Sequence, residues 1–145
     1  MRLPEHGEPA LWGIHRAIVE QAQDAIIYID REGLIRLWNC GAESIFGYAA
    51  AEVLGRTLDV IIPDKLRQAH ADGFGRAVST GLTRYDGRVL TTRASHKSGS
   101  RVYVDMSFGL LKDAAGVALG AFAIARDCTA CYQEEAARRA TGQTA

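Results

Sequence analysis

The feature that most constrains this fold is an alternation of apolar and mixed residues in the second half of the chain. The apolar positions are Val102, Val104, Met106 and Phe108, and the positions between them are mixed. A period of two predicts a strand over residues 101–111 with its apolar side facing a core. Turn-forming residues bound this segment, so further strands are predicted over residues 87–95 and 118–126.

The first half of the chain adds one hairpin and several helices. A helical apolar spacing predicts an amphipathic helix over residues 9–23, and two short extended runs predict a hairpin over residues 25–30 and 34–39. Further helices are predicted over residues 41–46, 50–54 and 64–79, and a C-terminal helix from Tyr132. This order favours an α+β domain with one antiparallel sheet covered on one face by helices.

Length and composition fit one globular domain. The 145 residues are 48% apolar and 23% charged, which is ordinary globular usage. Seventeen basic and seventeen acidic residues balance, so no electrostatic signal favours a nucleic-acid or membrane partner. Because neither a signal peptide nor a long apolar run is found, we expect a cytoplasmic protein whose three cysteines are reduced.

Several short motifs together resemble the PAS sensory family, over about residues 20–129. They are residues 24–30, Trp38-Asn39, Ala42-Glu43, residues 45–48, 52–56, 97–100 and 126–129. The resemblance implies a five-stranded antiparallel sheet with short helices on one face and a ligand cavity between them. The predicted organisation is an N-terminal amphipathic helix over 1–23, a PAS domain over 24–129 and a helical tail over 130–145. PAS domains are sensory or dimerisation modules, so we expect no enzymatic activity.

Within that family, the segment around His70 is similar to the haem-binding PAS domains of bacterial oxygen sensors, in which a histidine on this helix is the proximal iron ligand. The resemblance implies haem as the cofactor, His70 as the metal ligand, and a function in gas or redox sensing. The residues predicted to line the pocket are Leu66, His70, Phe74, Leu90, Met106, Phe108 and Ile124.

One position departs from those oxygen sensors. They usually carry an arginine on the strand before the hairpin, aimed at bound gas, and the matching residue here is Leu90. Arg88 lies two residues earlier and reaches inward only if the local strand pairing differs. We therefore expect a less polar distal side, closed by Leu90, Met106 and Phe108, and distal polarity governs what a haem does.

His70 also has a plainer interpretation, as a packed histidine in an interaction module. In that interpretation the domain binds a flavin or a small metabolite instead of haem, or it binds no ligand. Met106 is either a sixth iron ligand or a flexible core residue. Cys40 lacks the neighbouring sequence of the reactive cysteine in blue-light PAS relatives, so covalent flavin chemistry is not expected.

Cys128 and Cys131 form a C-x-x-C motif before the C-terminal helix. A helix N-terminus lowers a thiol pKa, which favours a redox pair. A zinc site needs two further ligands that the chain does not supply in a matching motif. The plainer interpretation is that two small residues pack where the last strand leaves the domain.

The expected partners are proteins. No kinase, DNA-binding or cyclase segment follows Asp127, so output is expected from a homodimer, a separate signalling protein or a fused output domain. Leu11, Ile14 and Ile18 form an apolar stripe on the N-terminal helix, which predicts a dimer contact because an isolated helix of this length is marginally stable without packing.

Overall fold

A computed structural model describes residues 11–83, 85 and 87–142 of the protein. The elements follow the predicted order, and the α+β architecture is confirmed. The helices are α1 (Leu11–Gln21), α2 (Cys40–Phe46), α3 (Ala50–Val53), α4 (Asp64–Thr80) and α5 (Thr129–Ala140), with a 3₁₀ turn at Leu58–Val60. The strands are β1 (Ala25–Asp30), β2 (Ile35–Trp38), β3 (Leu90–Ser95), β4 (Arg101–Lys112) and β5 (Ala118–Asp127).

Strand β3 begins three residues later than predicted. Gly87 adopts a positive φ of 71°, and the Arg88 N–H donates to the Tyr85 carbonyl in a turn. Strand pairing therefore starts only at Leu90, opposite Met106. The predicted start of the first helix, at residue 9, lies outside the described residues.

Helix α5 begins three residues earlier than predicted, because the end of β5 caps it. The Asp127 carboxylate accepts hydrogen bonds from the Thr129 N–H (2.9 Å) and hydroxyl (2.6 Å). The Cys128 N–H donates to the Tyr103 carbonyl over 2.8 Å. The Tyr132 ring then stacks on the Tyr103 ring, with centroids 3.8 Å apart. These contacts hold the N-terminal end of α5 against β4.

The sheet is antiparallel, with strand order β2-β1-β5-β4-β3. The two edges of the sheet differ in their backbone hydrogen bonds. Beside β2, the Ile35 N–H donates to the Arg56 carbonyl and its own carbonyl accepts from the Gly55 N–H, both over 2.8 Å. Beside β3, the Ser95 N–H donates to the Ile61 carbonyl (2.7 Å), and the described residues form no other backbone bond along that edge. The β2 edge is covered at Ile35 by both of its backbone groups, and most of the β3 edge is open.

The core lies between the inner face of the sheet and the helices that follow β2. The largest fully buried side chains are Phe46, Ile35, Val53 and Val104. Helix α4 has no fully buried residue, although Phe74 packs against the core. Side-chain packing is therefore densest under α2 and α3, and it is weakest on the α4 side.

Asn39 connects three elements from a nearly buried position, with 4% of its surface exposed. Its Oδ1 accepts from the Ala42 N–H at the start of α2 (2.9 Å) and from the Ile26 N–H in β1 (2.8 Å). Its Nδ2 donates to the carbonyls of Val19 (2.8 Å) and Asp24 (3.0 Å). One amide thus orients α1 and α2 relative to β1.

Candidate functional site

Leu66, His70 and Phe74 lie four residues apart on one side of α4, as predicted. Leu66 is 39% exposed, whereas His70 and Phe74 are half-buried and Phe74 packs against the core. The His70 and Phe74 rings are parallel within 2°, with centroids 6.5 Å apart. This side of α4 therefore turns toward the core only at Phe74, and His70 lies at the border between solvent and core.

The His70 imidazole is held in its neutral form. Burial lowers the pKa of His70 below its ordinary value of 6.5, and the charge of Asp59 opposes this only in part. In the described part of the chain the ring forms no side-chain hydrogen bond or ion pair. A neutral imidazole with an uncommitted lone pair has the chemistry of a metal ligand.

The lowered pKa of His70 predicts a pH-dependent stability. Above about pH 6.5 the imidazole is neutral in both folded and unfolded chains, so it adds no pH dependence. Below that pH the unfolded chain takes up the proton first. The free energy of unfolding should therefore fall with pH until the folded protein is protonated too. Urea unfolding at about pH 7.5 and about pH 5.5 should show a smaller decrease in His70→Gln than in the unaltered protein. Equal decreases in the two proteins would contradict a buried neutral His70.

The sheet supplies the second group of predicted pocket residues. Leu90 lies directly opposite Met106 in the β3–β4 pair, and Phe108 follows two residues later on the same face. All three are half-buried, and Met106 packs against the core as the flexible-residue interpretation expects. The Tyr85 ring lies 5.6 Å from that of Phe108, so Tyr85 covers this group from outside. Arg84, which precedes Tyr85 in the sequence, lies outside the described residues.

The prediction that Ile124 lines this space is wrong. Ile124 pairs with Ile26 and Ser107 and is 39% exposed, whereas its neighbour Ala125 is 2% exposed and pairs with Met106. Successive strand residues face opposite sides, so Ile124 lies on the outer face. Residues 121–125 are apolar on both faces, and their sequence therefore carries no alternation that separates inside from outside.

Arg88 does not replace the missing arginine. It is exposed in the turn before β3, where its N–H donates to the Tyr85 carbonyl (3.0 Å). Leu90 is half-buried and paired with Met106. The strand side of the site is apolar at this position, as predicted.

The C-x-x-C motif lacks the electrostatics of a reactive pair. Cys128 is half-buried at the start of α5, and Cys131 is exposed. Burial, with the Asp105 carboxylate second, raises the pKa of the Cys128 thiol to about 11, the opposite of what a thiolate nucleophile needs. Among the described residues, no three His, Cys, Asp or Glu side chains are grouped to hold a metal ion. Cys128 thus fits the packing interpretation, and the Cys40 thiol is exposed at the start of α2.

The described residues leave one apolar side of helix α1 uncovered. Leu11 is 68% exposed, Ile14 37% and Ile18 61%. On its other side the helix contacts α2. None of the helices in the described ranges is both long enough and apolar enough to cross a bilayer.

The known proteins that are similar to this chain agree with one another. A family model described as "PAS fold" matches residues 19–133. The oxygen sensor protein DosP of Escherichia coli K12 is 28% identical over 81% of this chain, and the sensor protein FixL of Bradyrhizobium diazoefficiens is 27% identical over 65%. The chain spans only 14% of DosP and 19% of FixL.

Solved structures show the same fold. A PAS domain from Colwellia psychrerythraea superposes with a TM-score of 0.72 at 21% identity, covering 83% of this chain and 99% of that one. An RNA-binding light-oxygen-voltage receptor superposes with a TM-score of 0.67 at 21% identity, covering 92% of this chain and 40% of the receptor. At these identities the likeness is one of fold.

Proposed function

This chain belongs to the PAS family, and on that premise we propose that it is a sensory domain that binds haem through His70 and responds to a gas or to redox change. The observation that carries the proposal is the half-buried, neutral His70 imidazole with no hydrogen-bond partner among the described residues. The similarity to a protein named as an oxygen sensor supports it. It is proposed to act by binding, with no catalytic step of its own.

The residues present fit a haem in their chemistry. A ring nitrogen of His70 can donate its lone pair to the iron, and the Phe74 ring lies parallel to the imidazole with centroids 6.5 Å apart. Leu90, Met106 and Phe108 supply the apolar surface that a macrocycle requires. When bound, the iron would supply a gas-binding or redox-active centre, tuned by its axial ligand and distal polarity. An inward leucine in place of arginine favours ligands that need no strong hydrogen-bond donor.

The test is haemin titration of the purified protein, followed by visible absorption. We expect a Soret band that His70→Gly removes and that added imidazole restores, because free imidazole can occupy the vacated ligand position. The matched control is His15→Gly, which removes an exposed histidine on α1. It should leave the band unchanged.

Three outcomes would contradict the proposal. The protein stays colourless with haemin, or the band survives in His70→Gly, or imidazole fails to restore it although circular dichroism shows a folded variant. A yellow preparation with a flavin spectrum would assign the pocket to flavin instead.

We further propose that two copies associate through the apolar side of α1 and pass the signal to a separate protein or a fused output domain. The exposed Leu11, Ile14 and Ile18 support this contact. Sedimentation velocity should show a dimer that becomes monomeric in Ile18→Glu. Arg16→Glu places the same new side chain on the opposite side of α1. It breaks an exposed ion pair with Glu20 without touching the apolar stripe, so it should leave the dimer intact. A monomeric unaltered protein would rule out the contact.

A further inference from the structure

The open edge of β3 presents unpaired backbone groups. In an antiparallel strand, alternate residues direct both N–H and C=O to the same side. The Ser95 N–H points away from β4, since it donates to the Ile61 carbonyl, and the His96 N–H points to the β4 side, donating to the Ser100 carbonyl. Thr91 and Arg93 share the orientation of Ser95. Their N–H and C=O groups therefore face the open edge, where the described residues provide no backbone partner.

A groove runs along the end of this edge. It has a volume of about 310 Å³ and lies between the start of α4 and the edge of β3. Its lining residues are Ile62, Pro63, Asp64, Lys65, Arg67, Arg93 and Ser95. The Ile61 carbonyl already bonds to one edge position of β3, so the groove marks where an added strand would continue that pairing.

The groove is positively charged. Three of its side chains are cationic and one is anionic. Arg67 is committed locally, because it pairs with Asp64 (2.7 Å) and donates to the carbonyls of Ile62 and Asp59. Lys65 and Arg93 form no salt bridge with any described residue. Two cations next to unpaired backbone groups complement an extended segment that carries carboxylates.

We propose that the β3 edge is a docking site for an acidic, extended protein segment, which adds to the sheet as a sixth strand beside β3. Backbone bonds to Thr91 and Arg93 supply the pairing, and Lys65 and Arg93 select carboxylate side chains. A second copy of this chain fits poorly, because edge-to-edge pairing brings both copies' Lys65 and Arg93 to one seam, and like charges facing each other destabilise a strand pair. The proposal is independent of what His70 binds.

The probe is a capped, dye-labelled peptide of about eight residues in which glutamate alternates with valine. The control peptide carries lysine at every glutamate position. Fluorescence anisotropy should show binding of the acidic peptide alone, and the binding should weaken as salt rises. Amide exchange should slow at Thr91 and Arg93 when the peptide is present, because those N–H groups gain acceptors.

Two variants separate backbone pairing from charge. Thr91→Pro removes one outward N–H at an edge position where proline is tolerated, and Arg93→Glu reverses a groove charge. Each should weaken peptide binding about tenfold. Arg138→Glu makes the same charge change on the exposed surface of α5 and should leave binding unchanged. Circular dichroism checks that each variant is folded.

Several results would overturn the proposal. The lysine peptide binds as tightly as the acidic peptide, or Arg93→Glu binds normally, or the peptide protects amides elsewhere and leaves Thr91 and Arg93 unprotected. Protection of these two amides that rises with protein concentration in the absence of peptide would assign the edge to self-association.

Discussion

Replacing Asn39 with alanine is expected to lower the free energy of unfolding by about 3–4 kcal/mol. The substitution removes the cap of α2 and leaves the Ile26 N–H and the Asp24 carbonyl without their side-chain partner. Losing a helix cap costs about 1 kcal/mol, and each of the two part-buried groups left unpaired costs about 1–1.5 kcal/mol, near the lower end for a buried group. Urea unfolding followed by circular dichroism measures the change.

Asn39→Ser is the matched comparison. A serine hydroxyl caps α2 at the Ala42 N–H but is too short to reach β1 and α1 together. We expect a loss between that of alanine and zero. If serine costs nothing, the contacts to Ile26, Val19 and Asp24 contribute little, and Asn39 acts only as a cap. If alanine and serine cost the same, those contacts carry the stability and the cap adds little.

Gly41→Ala is expected to destabilise the protein by about 2–3 kcal/mol, although alanine is the better helix former. A Cβ at Gly41 would lie 2.1 Å from the Asp24 carbonyl oxygen and 2.6 Å from that of Gln23. Both obstacles are backbone atoms of the segment that joins α1 to β1, so α2 must move away from that segment to make room. That movement would also stretch the Asn39 bonds.

The control makes the same substitution in α4. A Cβ at Gly75 would have no neighbouring atom within 4 Å. Gly75→Ala should therefore stabilise the protein by about 0.5–1 kcal/mol through helix propensity alone. Thermal unfolding of the two variants should give shifts of opposite sign. A stabilising Gly41→Ala would mean that α2 lies farther from the segment that joins α1 to β1 than the structure shows.

Local periodicity in the sequence predicted much of the site. The alternation in β4 placed Met106 and Phe108 on the inner face, and the spacing of four on α4 grouped Leu66, His70 and Phe74. Ile124 was misplaced because β5 is central and apolar on both faces, so its sequence has no period that distinguishes them.

Features set by distant residues could not be predicted in the same way. The pKa of Cys128 rises partly because the β4–β5 register brings Asp105 to the end of β5. From the sequence, Cys128 was expected only to lie at a helix N-terminus. Nothing in the sequence indicated that the Asp105 carboxylate would lie nearby. The burial that keeps His70 neutral likewise depends on how α4 lies over the sheet. The motif containing Trp38 and Asn39 was recognisable, but its contacts to Val19 and Asp24 were not.

The difference between the two sheet edges limits how large an assembly this domain can form by strand pairing. Continuous growth of a sheet requires each unit to accept a strand on one side and offer one on the other. Here the segment containing Gly55 and Arg56 occupies the β2 side. A sheet that grows through the two edges of this domain therefore stops after one pairing at β3. Growth of identical copies into a fibre would first require the segment beside β2 to detach.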